Sequence, residues 1–148
     1  MKNFFLLLLP FIFLASCKED RGHAVRPVPE TKADSLFQEV MQGHDVGMAK
    51  MGKIKGHLKQ VQNELDSLTV LKNKSAVSER ISELEKLKSA LQQADEGMYL
   101  WMKEFKADSG ENDSQVRIKY LESEKIKVEK VKEDILESLK LADSILRN

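Results

Sequence analysis

"ADSGENDS", residues 107–114, separates two long runs of heptad-spaced apolar residues, and its reading decides the fold. A glycine among short polar side chains is a turn signal, so one continuous coiled coil would have to run straight through Gly110. Upstream, Val77, Leu84, Leu87, Leu91, Ala94, Met98, Trp101 and Phe105 keep an a/d heptad broken only by Arg80. Downstream, Ile118, Leu121, Val128, Val131, Ile135, Leu139, Ala142 and Ile145 do the same. A further run lies before them: Phe37, Met41, His44, Met48 and Met51, then Ile54, Leu58, Val61, Leu65 and Leu68, in steps of threes and fours.

The first run starts near Asp34 or Ser35, where Ser35 and Gln38 have the form of a capping box, and it is parted from the second by "KNKS" around Asn73. Helices of about 30 to 38 residues, roughly 45 to 55 Å long, joined by breaks this short must lie antiparallel. The spacing therefore predicts an all-α, up-down-up three-helix bundle over residues 34–148. On the third helix Glu122 and Lys125, Glu124 and Lys127, Glu129 and Lys132, and Glu137 and Lys140 read as solvated surface pairs.

The N-terminus has a different character. Lys2 precedes "FFLLLLPFIFLA" and then "LASC" at Leu14 to Cys17, the order of a secretory signal with a small-residue cleavage site. Twelve apolar residues are too few to span a bilayer, which takes roughly 20. Leu14-Ala15-Ser16-Cys17 resembles the bacterial lipobox, which implies a signal peptide over 1–16 and a lipid anchor on Cys17, the chain's one cysteine. Removing the signal leaves 23 basic against 24 acidic residues, because Lys2 is lost from the 24 of each sign, a formal net charge of −1. Nothing in that balance calls for nucleic acid.

Lys18-Glu19-Asp20 resembles the short signal that sends Bacteroidota lipoproteins to the outer face of the outer membrane. "KEDRGHAVRPVPETK" carries Pro27 and Pro29, lacks apolar periodicity, and makes 17–33 a lipidated cysteine and flexible tether. The expected localisation is the cell envelope, lipid-anchored, at the outer membrane.

One segment stands apart. "MQGHDVGMAKMGKIKGH", residues 41–57, packs four glycines, three methionines and two histidines into an otherwise charged, leucine-rich helix. Folding the first two helices back about residue 74 sets Met51 level with Met98, Met48 level with Leu100 to Met102, and His44 level with Phe105. Gly47, Gly52 and Gly97 would then sit on the shoulders where the backbones approach. In one reading methionines fill irregular space around Trp101 and Phe105, as flexible thioethers do. In the other, His44, Met48, Met51, Met98 and Met102 offer an imidazole and thioethers to Cu(I), which prefers soft ligands. That ligand set, with a nearby tryptophan, resembles the site of small periplasmic copper chaperones of unrelated fold. His57 lies about 220° round the helix from His44 and is assigned to the surface.

Met41-x-x-His44-Asp45-x-x-Met48-x-x-Met51 with Trp101-Met102-x-x-Phe105 also resembles a group of small helical lipoproteins of Bacteroidota, some labelled "viral A-type inclusion protein". Val46 and Gly47 stand where an acidic and an aliphatic residue are more usual. The resemblance implies no activity, and no catalytic motif is visible: no phosphate-cradling glycine loop, no His-Glu-x-x-His, no cysteine nucleophile beyond the lipobox. Asp45 points about 100° away from His44 on a helix, which excludes it as the orienting acid of a triad. The expectation is a non-catalytic bundle without cofactor that shapes the envelope or binds an envelope protein partner, with Ile81, Leu100, Leu136 and Leu141 as the off-seam apolar candidates for partner binding. Cu(I) handling is the alternative.

Overall fold

The computed structural model describes residues 31–71 and 77–147. The signal peptide, Cys17, the Lys18-Glu19-Asp20 run, most of the tether and the "KNKS" break lie outside them. The described chain forms three helices, α1 (Lys32–Thr69), α2 (Ser78–Glu104) and α3 (Ser114–Ile145), each packed against the other two. No helix among the described residues is long and apolar enough to cross a membrane.

Cross-helix bonds state the topology. Arg80, at the start of α2, donates from Nε to Glu64 near the end of α1 at 2.7 Å and from Nη1 to the Ile145 carbonyl at the end of α3 at 2.9 Å. At the other end, Lys32 reaches Glu122 and Lys125 reaches Glu39. Thus α1 and α3 run together and α2 runs against both, the up-down-up bundle that the breaks imply.

The α1 boundary differs from the sequence reading. Thr31 is the N-cap: its hydroxyl accepts from the Asp34 amide at 3.2 Å while the Asp34 carboxylate accepts from the Thr31 amide at 3.1 Å. This reciprocal pair satisfies two amides that the first turn leaves without helical partners, so the helix begins at Lys32 rather than at Asp34 or Ser35. The α2–α3 connection falls where Gly110 placed it. Gly110 has φ +73°, and a Cβ there would sit 2.6 Å from the Arg117 amide nitrogen. Only glycine fits that left-handed, crowded position. Asp113 then caps α3, its Oδ1 accepting from the amides of Gln115 and Val116 at 2.9 and 3.1 Å.

The α2 and α3 seams are buried as read: Leu84, Leu87, Leu91, Ala94, Met98 and Trp101 on one, Leu121, Val128, Ile135, Leu139 and Ala142 on the other. On α1 the C-terminal half agrees, with Ile54, Val61 and Leu65 buried. The N-terminal half is rotated from the expected stripe. Its buried face is Leu36, Val40, Gly43 and Gly47, while Phe37, Met41, His44 and Met51 lie half-buried on the flank and Met48 is exposed. The cause is contact with α3 and α2: a Cβ on Gly43 would meet Val128 Cγ1 at 3.0 Å, and one on Gly47 would meet Met98 Cε at 2.4 Å. Gly52, expected on a close-approach shoulder, has nothing within 4 Å of such an atom and is exposed.

Candidate functional site

Two arrangements meet at the end of the bundle where α1 begins, α2 ends and α3 begins. The first is an aromatic column. Trp101 stacks on Phe105 with ring centroids 4.9 Å apart, Phe105 stacks on Tyr120 at 6.2 Å and faces Phe37 at 6.3 Å, and the Arg117 guanidinium lies over the Phe37 ring at 5.9 Å. Separations in this range are those at which aromatic pairs attract beyond their area. Tyr120 accepts from the Lys106 amide at 2.7 Å, which ties the α2–α3 turn to the column.

At the base of the column is a charged group inside the core. Glu124 is 4% exposed. Its Oε2 accepts from the Trp101 indole N–H at 3.0 Å, and its Oε1 accepts from Lys127 Nζ at 2.7 Å. Both oxygens are bonded, as a carboxylate taken out of water requires. The bond to Glu124 holds the Lys127 ammonium above the usual lysine range. The sequence pattern pairs Glu124 with Lys127 on the surface; the pairing holds, but the carboxylate is buried. A signal was present, since no apolar residue lies on the α3 seam between Leu121 and Val128, a gap of two turns that something on that face must fill. Of the other pairs, Glu129 bonds Lys132, whereas Glu122 and Lys125 bond across the bundle to Lys32 and Glu39.

The second arrangement is a cleft of about 260 Å³ between α1 and α2, lined by Met48, Met51, Met98 and Met102 together with Lys55, Asp95, Glu96 and Tyr99. The four methionines expected to face one another across the helix pair do so. Met98 is fully buried at the floor, while Met48 and Met102 each retain 39% of their surface. His44 is not among the lining residues. Its ring lies against Trp101 at 5.6 Å, one turn short of the Phe105 level expected for it. Its Nδ1 is 3.0 Å from Asp45 Oδ1, which corrects the expectation that Asp45 points away: two side chains that leave a helix about 100° apart can still fold toward each other over the surface.

His57, assigned to the surface, is half-buried, and its Nε2 is enclosed without a hydrogen-bond partner. Among the off-seam apolar candidates, Leu100 and Leu136 are exposed, whereas Ile81 and Leu141 pack against the core. Tyr99 at 64% and Ile126 are exposed large side chains not singled out from sequence. A wider depression of about 630 Å³ on α3 is lined by Leu36, Ile126 and charged residues, of which Glu122, Lys125 and Lys130 are already paired with Lys32, Glu39 and Asp134. Among the described residues no group of three or more His, Cys, Asp or Glu could hold a metal ion. No family model, curated protein or solved structure matches the chain, so the chemistry of the site rests on its own geometry.

Proposed function

We propose that the chain is a lipid-anchored protein of the bacterial cell envelope, of the Bacteroidota lipoprotein type, whose three-helix bundle is non-catalytic and docks an envelope protein partner at the α1–α2 edge. The anchor rests on "LASC" and the lone Cys17. The docking role is carried by one observation: Tyr99 and Met102 at the end of α2, with Met48 across from them on α1, line one cleft and leave large apolar surface in water at 64%, 39% and 39% exposure. That row sits on helices held by the aromatic column and the Glu124 bonds, so its backbone is ordered before a partner arrives and only the side chains remain to be fixed. Aromatic and methionine side chains are the types enriched at such contacts.

Cys17→Ala should release the protein from the membrane fraction or stall its processing. A processed mutant that still partitions into detergent like the wild type refutes the anchor. Tyr99→Ser with Met102→Ser should leave helicity and membrane retention unchanged while abolishing co-purification of the partner; undiminished co-purification refutes the docking row.

A second reading is favoured by the cleft itself. Met48, Met51, Met98 and Met102, four of the chain's six methionines, line one depression, and thioethers are ligands for Cu(I) rather than for harder cations. In that reading the bundle handles a soft metal at the envelope.

A further inference from the structure

Resting on that second reading, we infer that the α1–α2 cleft is a thioether-only site for a soft monovalent cation, Cu(I) or its analogue Ag(I), formed by Met48, Met51, Met98 and Met102, and that His44 is not a ligand. Met98 is the floor of the site, fully buried, its methyl lodged against Gly47 where a Cβ would come within 2.4 Å. Met48 and Met102, exposed at the mouth, supply mobile sulfurs that can close on an ion and release it. A methionine has three rotatable bonds and a polarisable sulfur, so ligands of this kind adjust to the ion without moving the helices. His44 is turned elsewhere, its ring against Trp101 and its Nδ1 at Asp45.

The charges lining the cleft suit a monocation. Lys55 contributes +1 and Asp95 and Glu96 contribute −1 each, a net −1 at the rim. Lys55 and Glu96 are exposed and Asp95 is half-buried at the rim, so solvent screens these groups and they act on encounter more than on affinity. Selectivity comes from the sulfurs. Zn(II) takes thiolate, imidazole and carboxylate ligands, and no cluster of three such groups exists among the described residues. A neutral thioether releases no proton on binding, so affinity should not change between roughly pH 6 and pH 8, the interval in which an imidazole ligand would titrate. The glycine at 47 gains a purpose here, since it seats the methionine that forms the floor.

The test uses the full mature chain in detergent micelles, carrying carbon-13 in its methionine methyls, titrated with Ag(I) and, anaerobically, with Cu(I) against a chromophoric chelator. Four methyl resonances should move and saturate at one ion per chain, that of Met41 should stay, and Zn(II) in excess should not compete. Met51→Leu and Met102→Leu, which nearly conserve volume, should each weaken binding at least about tenfold with helicity unchanged. His44→Ala should leave the affinity as it is. Loss of binding in His44→Ala overturns the thioether-only site while the soft-metal reading survives. Ag(I) binding no tighter than that of a chain with all four methionines changed to leucine overturns both, and equal movement of the Met41 methyl shows scattered thioether association, which also overturns the site.

Discussion

The glycines of α1 can be sorted by substitution to alanine, because the structure assigns opposite outcomes to residues that look alike in the sequence. A glycine in a helix interior is less favourable than alanine by about 0.8 to 1 kcal/mol. At Gly52 and Gly56 nothing lies within 4 Å of the added Cβ, so that gain is realised in full. The double variant Gly52→Ala with Gly56→Ala should be more stable by about 2 kcal/mol, a rise in Tm of roughly 10 °C for a domain of this size. Gly43 is different: the new Cβ would lie 3.0 Å from Val128 Cγ1 and 3.1 Å from Glu129 Oε1. Val128 is fully buried and stiff at χ1, so it cannot swing aside. Overpacking of this kind costs about 1 to 3 kcal/mol, which offsets the propensity gain and leaves Gly43→Ala destabilised by about 1 kcal/mol. Urea and thermal unfolding followed by far-ultraviolet circular dichroism reads both signs. If Gly43→Ala stabilises the bundle as much as Gly52→Ala does, α1 does not approach α3 at that level and the rotated α1 face is wrong.

Two further outcomes follow from Glu124. Glu124→Ala strands a buried indole N–H, at about 1 to 3 kcal/mol, and removes buried methylenes as well, so chemical unfolding should show a loss of about 2 to 4 kcal/mol, while Glu124→Gln, which keeps an acceptor for Trp101, should lose less; equal losses would mean that the indole bond contributes nothing. Because the Lys127 pKa is raised in the folded state, its contribution is complete below the usual lysine range and is lost as pH rises through the raised value, so the alkaline fall in unfolding midpoint should be shallower in Lys127→Met than in the parent, and identical pH profiles would remove Lys127 from the account.

What could be read in the chain and what could not divide along a physical line. The seams of α2 and α3 were legible because leucine, isoleucine and valine at threes and fours report burial directly, and the turn at Gly110 was legible because its left-handed backbone excludes other residues. The centre of α1 was not. Hydropathy assigns the buried stripe to the largest apolar side chains, and methionines at 41, 48 and 51 outweigh glycines at 43 and 47, although contact with α3 and α2 goes to the residues that let a neighbour in. Glu124 was missed for a related reason. A glutamate three residues before a lysine has the same pattern whether it faces water or the core, and only the position of Trp101 on another helix distinguishes the two.

The same division explains why the four methionines could be brought together from sequence while the histidine expected with them lies outside the lining of the cleft. Pairing levels across an antiparallel hairpin needs only the position of the turn, so Met48 and Met51 were placed opposite Met98 and Met102, as the cleft has them. Whether His44 joins them depends on how far along that flank of α1 the cleft extends, and the level pairing alone does not give its extent. With Gly43 and Gly47 at the centre of the buried face, the flank toward α2 carries Met48 and Met51 at the level of the cleft, and one turn further toward the start of α1 it carries His44 against Trp101. Gly47→Ala therefore probes more than helix propensity. Its Cβ would meet only the flexible end of Met98 and the Ile135 Cδ1 at 3.3 Å, so the bundle should persist with little change in stability, because a methionine terminus yields where Val128 cannot. Met98 must move to make room, and the floor of the cleft moves with it. The variant should keep its unfolding midpoint while the Met98 methyl resonance shifts; a midpoint as low as that of Gly43→Ala would show that Met98 is as rigid as a branched side chain and could not act as an adaptable ligand.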